Sequence, residues 1–148
     1  PEIEVEVIAE RLTTDNSPSF LAGYNVVLDG SDSFETRHAV ADAARVLRIP
    51  LVAGAVSTLD GQVTVFAPDG PQFADLYPDA LDEADLPSCE VVGVLGPVTG
   101  VVGTLMAMEA IKLITEVGEP LVGRLALYDG RASRFTELTY ERGPGEDD

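Results

Sequence analysis

The sequence predicts an α/β layered fold with a mixed β-sheet and one long buried helix. Three stretches carry that reading. Apolar residues 26–28 stop at Asp29-Gly30-Ser31-Asp32-Ser33 and lead straight into a helix-like period. An unbroken apolar run at 51–56 is followed by an alternating return segment at 62–67. Residues 91–108 carry no charge at all. Strands interleaved with helical periods point to a sheet covered by helices.

In chain order, residues 2–12 alternate acid and apolar (Glu2, Ile3, Glu4, Val5, Glu6, Val7), the pattern of a strand with one wet face. Residues 13–18 form a turn cluster, and 19–23 are long enough for a single helical turn. Residues 25–28 read as a buried strand feeding the acidic loop. Residues 35–47 read as a helix with apolar positions Ala39, Val40, Ala43, Ala44 and Leu47; Ser33 suits the N-cap, with Glu35 and Thr36 in the first turn. Pro50 ends that segment. Residues 51–56 form a buried strand, Asp60-Gly61 a tight turn and 62–67 the return strand of a hairpin. The Pro- and Asp-rich stretch 68–87 has weak periodicity and reads as a mobile excursion. Gly93, Gly96, Pro97, Gly100 and Gly103 cut the uncharged run, so a helix from about 98 to 115 packed on the sheet fits better than a membrane span, and no basic flank supports membrane topology. Glycines on that helix would let the sheet come close, and Gly118 would stop it. Residues 124–128 and 134–140 are two strands joined through Asp129-Gly130, and 141–148 form a polar tail.

A hydrophobic content of 45% in 148 residues fits one globular domain, residues 1–148. Charge is the extreme feature: 9 basic against 26 acidic residues give −17, with Lys112 the sole lysine. Such a surface opposes nucleic-acid backbone and anionic membrane alike. It suits molar internal salt, where a Debye length of roughly 3 Å screens self-repulsion. A halophilic host is therefore expected, the rival being an acidic mesophilic protein. One cysteine allows no internal disulfide, no signal peptide is visible at Pro1-Glu2-Ile3-Glu4, and a cytoplasmic location is expected.

The acidic loop holds the chemistry. Ligands in open α/β sheets bind beyond the carboxyl ends of strands. Two carboxylates there can hold a metal on nucleotide phosphates, or simply cap the next helix. The residues alone leave both open.

Asp29-Gly30-Ser31-Asp32-Ser33 with Arg37 resembles the Asp-x-x-Asp-Asn-x-x-x-Arg signature of the enzymes that adenylate ubiquitin-like proteins, including those serving molybdopterin synthase and thiamine sulfur carriers. Val52-Ala53-Gly54-Ala55 through Gly61-Gln62-Val63, Pro87-Ser88-Cys89 through Gly96-Pro97, Met108-Glu109-Ala110-Ile111-Lys112-Leu113, Gly118 to Gly123 and Leu127-Tyr128-Asp129 continue the resemblance in order. It covers nearly the whole chain but only the second half of the family's domain. The fold it implies is the C-terminal half of a Rossmann-like adenylation domain.

The resemblance implies a function too. The intact enzyme would use ATP and Mg²⁺ to adenylate the C-terminal carboxylate of a β-grasp ubiquitin-like or sulfur-carrier protein, releasing pyrophosphate. It would act as a homodimer, with no nucleic-acid or membrane partner. Asp32 would hold Mg²⁺ and the ATP phosphates, while Asp29 would shape the loop or assist. Ser33 stands where the family has Asn, a shorter nucleotide contact. Arg37 would meet phosphate or the carrier's tail, or else pair with Glu35 or Asp42. Cys89 aligns with a cysteine that forms thioester or acyl-disulfide links in some relatives; the residues themselves favour an inert thiol, because the charge of Glu90 opposes a thiolate beside it. His38 reads as a surface residue and Lys112 as a partner of Glu109 or Glu116 on one helix face.

Two family features have no counterpart. The structural zinc held by two C-x-x-C pairs is not expected: Gln72 and Asp75 stand at the first pair, and the tail after Arg142 has no cysteine. The Gly-rich phosphate loop and the phosphate-binding arginine and lysine would lie upstream of Pro1. The chain thus reads as part of an adenylyltransferase, inactive alone. The alternatives are a non-catalytic carrier-binding or dimerisation module and, more remotely, half of a dinucleotide-binding dehydrogenase.

Overall fold

The computed structural model describes residues 2–78 and 93–143. A five-stranded sheet runs in the order β1-β2-β3-β4-β5, formed by Val27–Asp29, Leu51–Val56, Asp60–Phe66, Arg124–Asp129 and Arg134–Thr139. β1 and β2 are parallel and the other pairs antiparallel, so the sheet is mixed as expected. Four helices accompany it among the described residues: α1 (Ser17–Leu21), α2 (Phe34–Leu47), α3 (Phe73–Leu76) and α4 (Gly96–Thr115).

Two helices cover opposite faces of the sheet, because successive side chains of a strand point to opposite sides. Leu51 joins Val27, Val40, Ala44, Ile49, Phe66 and Phe73 under α2. Val52, its neighbour, joins Val63, Val65, Val102, Met106 and Leu121 under α4. Val52 and Val65 are wholly buried. Burying a valine side chain stabilises by about 1.5 kcal/mol or more, so the unbroken apolar run of β2 records burial on both faces. α2 starts at the Ser33 cap and buries Ala39, Val40, Ala43 and Ala44, as its period predicts. The short α1 is tied to it by the buried Ser17 hydroxyl, which donates to the Ala39 carbonyl at 3.1 Å.

Several expectations need correction. The strand expected over 2–12 does not form, and residues 2–11 are exposed. Their alternation specifies two faces but no partner edge. The strand before the acidic loop starts two residues late, and Leu28 is exposed, because α4 covers β2 and β3 rather than β1. The β2–β3 turn lies at 57–59, closed by Ser57 N–H donating to the Asp60 carbonyl at 2.8 Å. Asp60 and Gly61 instead begin β3, with Gly61 opposite Val56. Within the expected excursion of 68–87, where no helix is foreseen, α3 forms at Phe73–Leu76 and buries Phe73; 79–87 lie outside the described residues.

α4 is long and apolar, but only one side of it is covered: Val98, Val102, Met106, Glu109 and Ala110 are buried, whereas Met108, Ile111 and Ile114 are exposed. The close approach of helix to sheet is made by strand glycines rather than helix glycines. A Cβ on Gly54 would fall 2.2 Å from Met106 Sδ, and one on Gly61 2.3 Å from Val102 Cγ2, while one on Gly100 or Gly103 would meet nothing. The helix ends at Thr115 with Glu116 in the left-handed region (φ 56°), ahead of Gly118. Lys112 pairs with the buried Glu109 at 2.5 Å. Glu109 also accepts the Leu121 N–H at 2.8 Å, tying the helix to the segment before β4.

Candidate functional site: the acidic loop at the end of β1

β1 and β2 are parallel, so their carboxyl ends open at one rim of the sheet. The Asp29–Ser33 loop lies there. Asp29 is buried, and its Oδ1 accepts the Ser31 N–H at 2.8 Å, folding the loop over its own first residue. Ser33 Oγ accepts the Thr36 N–H at 3.3 Å as the N-cap of α2. Arg37, one turn into α2, reaches back. Its Nε and Nη2 both donate to the Ser31 carbonyl, at 3.0 and 2.6 Å. Its guanidinium also stands 5.7 Å from the Phe34 ring centre. Asp29 thus holds the amide of Ser31 and Arg37 holds its carbonyl.

Asp32 is the member of this group left over. It is exposed, and its carboxylate has no hydrogen bond or ion pair among the described residues. It lines a cavity of about 190 Å³ with Ser31, Arg37, Gly54, Val102 and Met106. The Ser31 hydroxyl is the one buried side-chain polar atom without a partner among the described residues. An orphaned hydroxyl beside a free carboxylate is a ready contact for a polar ligand.

Behind the loop stands an aromatic wall. Tyr77 packs against Phe73 and Phe34, with ring centres 4.8 and 6.1 Å away, and its hydroxyl accepts from Gln62. Burial pushes its phenol above the ordinary value, against the pull of the Arg37 charge and the Gln62 bond. His38, expected at the surface, is half-buried with its ring 4.8 Å from Phe73. Cys89 and Glu90 lie outside the described residues.

Asp29, Asp32, Ser33 and Arg37 therefore come together in one loop and its helix, as the spacing predicts. Ser31 and Tyr77 are additions. Ser31 sits inside the motif, but its role is carried by backbone atoms and a buried hydroxyl. Tyr77 reaches the loop only through tertiary packing.

Among the described residues, no group of three His, Cys, Asp or Glu side chains could enclose a metal. One free carboxylate does fit Mg²⁺, which keeps most of its shell as water and phosphate oxygen. Asp32 is the residue that would hold it.

Fold and loop together define an α/β domain that presents a single free acid at the carboxyl end of a parallel strand. The chain belongs to the ThiF family, whose sequence model matches residues 1–146. It is 40% identical over 144 residues to the SAMP-activating enzyme E1 of Haloferax volcanii, covering 97% of this chain and 53% of that protein. It is 43% identical over 150 residues to the sulfur carrier protein adenylyltransferase of Thermus thermophilus, covering 97% of this chain and 55% of that protein. Among solved structures it resembles E. coli MccB with AMPCPP and MccA, at a TM-score of 0.76 and 12% identity, over 95% of this chain and 44% of that one. The last likeness speaks for the fold. The chain spans about half the length of these two curated relatives.

Proposed function

We propose that this chain supplies the acidic part of an ATP-dependent adenylyltransferase site that activates the C-terminal carboxylate of a β-grasp ubiquitin-like or sulfur-carrier protein. The observation that carries the reading is Asp32, unpartnered at a cavity rim on a loop braced by Asp29 and Arg37. The names of the Haloferax and Thermus relatives support the substrate class.

In the proposed reaction a carboxylate oxygen of the carrier attacks the α-phosphorus of ATP. The bond from that phosphorus to the bridging oxygen breaks, and pyrophosphate leaves with its electron pair. The product is an acyl adenylate, whose carbonyl is open to a sulfur nucleophile. Bound Mg²⁺ would neutralise charge on the phosphate oxygens. Asp32 would orient that complex, and Ser31 offers its unpartnered hydroxyl in the same cavity. The brace keeps Asp32 in place before substrate arrives, so little ordering remains to be done at the moment of reaction. The exposed edge strand β5 suits a docked carrier, with its tail running toward Asp32. The half-covered α4 suits a homodimer contact. The phosphate cradle would come from residues outside this chain's sequence.

The test is ATP–pyrophosphate exchange with a small β-grasp carrier, after supplying the glycine-rich part of the domain from a relative. Exchange that appears on complementation and disappears in Asp32→Ala, with unchanged folding, supports the proposal. Exchange that survives Asp32→Ala overturns the role of Asp32. Tight carrier binding without nucleotide dependence, and no exchange even after complementation, would favour a non-catalytic carrier-binding module.

A further inference from the structure

We infer that Gln72 and Asp75 form a metal-free clasp, tying the start of the 68–87 excursion to the C-terminal segment by hydrogen bonds where the family resemblance implies a thiolate zinc site. The residues do not fit that zinc. The whole chain has one cysteine, and the two positions aligned with the first C-x-x-C pair carry an amide and a carboxylate. Two pairs of thiolates cannot be assembled from them.

The same two side chains are fully engaged in another way. Asp75 Oδ2 accepts the Gln72 N–H at 2.7 Å, and the Asp75 N–H donates back to the Gln72 carbonyl at 3.1 Å. The Gln72 amide group donates to the carbonyls of Ala67 and Gly70, both at 2.8 Å. Asp75 Oδ1 accepts the N–H of Gly143 at 2.7 Å, across 68 residues of sequence. One carboxylate therefore bridges the excursion and the tail, the two segments that the implied zinc would join. The chain reaches that point because Tyr140 N–H donates to the Gly123 carbonyl at 2.9 Å, leading the tail back past α3.

The clasp also sets the aromatic wall. Fixing α3 places Phe73 against Phe66, with ring centres 5.8 Å apart, and Tyr77 against Phe34 behind the acidic loop. A carboxylate accepting two backbone N–H groups is a charge-assisted junction and needs no metal to hold it.

The inference is independent of the functional reading and is tested on this chain alone. Amide hydrogen exchange is followed at Gln72 and Gly143 in the unaltered protein, Asp75→Asn, Asp75→Ala and the control Asp69→Ala, whose exposed carboxylate pairs with Arg48. Zinc content and the effect of EDTA on the melting temperature are measured in parallel. Protection of both amides, lost by about tenfold in Asp75→Ala and less in Asp75→Asn, supports the clasp. So does a melting temperature indifferent to EDTA. If Asp75→Ala does not fold, Asp75→Asn and the chelator measurement decide. Stoichiometric zinc, a melting temperature lowered by EDTA, or an Asp75→Asn protein with both amides protected as in the unaltered chain would overturn it.

Discussion

Replacing Lys112 by Met tests whether the pair on α4 is a buried junction or a decoration of its surface. Glu109 is 4% exposed and Lys112, counting its side chain, 19%. The carboxylate divides its oxygens between Lys112 and the Leu121 N–H, and Lys112 also donates to the Glu119 carbonyl at 2.9 Å. Methionine keeps the apolar stem that lies against Gly118, so packing changes little and the charge alone is removed. Stranding a buried carboxylate costs about 3–5 kcal/mol; the partial exposure of Lys112 admits water and brings the expected loss to about 3 kcal/mol. For a chain of this size that lowers the melting temperature by roughly 10 °C. Glu109→Gln retains an acceptor for Leu121 and should cost about 1 kcal/mol. In the Glu109→Gln background, Lys112→Met should then cost about 1 kcal/mol, the loss of its bond to the Glu119 carbonyl, leaving a coupling of roughly 2 kcal/mol in a double-mutant cycle followed by urea unfolding. The coupling should also persist in about 2 M KCl, where exposed pairs are screened. A Lys112→Met protein within about 0.5 kcal/mol of the original, the range of an exposed pair, would refute the reasoning.

Two other tests use conditions rather than contacts. Tyr77 and Tyr140 both have phenols raised above the ordinary 10.0, each chiefly by burial. Folding therefore favours their neutral forms. Their contribution to stability is complete below pH 10 and fades as pH climbs through the raised values. Absorbance at about 295 nm should show a late-titrating fraction that Tyr77→Phe and Tyr140→Phe remove one at a time, and its absence would contradict the burial argument. We propose that the charge of −17 is an adaptation to high salt. The melting temperature should rise between dilute buffer and about 2 M KCl, and equal melting in both would count against a halophilic origin.

The parts of the fold legible in the sequence are those whose cause is local. β2 announces itself because burial on both faces leaves no room for a polar residue, and α2 because a 3.6-residue period, a serine cap and a first-turn acid agree. The parts that are not legible depend on partners. Residues 2–9 alternate well and pair with nothing described. α3 is four residues long and rests on side chain-to-backbone bonds between Gln72 and Asp75, below the length of any hydrophobic period. The depth to which α4 sinks is set by Gly54 and Gly61 on the opposing strands, and no pattern within the helix reports it.

The acidic loop shows the same division at finer scale. Spacing alone leaves helix capping and metal binding as rival explanations of its polar residues. The geometry assigns the residues to different tasks. Asp29 turns the backbone, Ser33 caps α2, and Arg37 holds the Ser31 carbonyl from a turn away. These contacts stabilise one loop conformation, and the residue they leave unsatisfied is Asp32. A carboxylate with no internal partner adds nothing to the stability of the loop that carries it. Under the proposed function its worth comes from what it meets outside the chain, and for that reason Asp32→Ala should leave folding intact while removing the proposed adenylation activity once the rest of the domain is supplied.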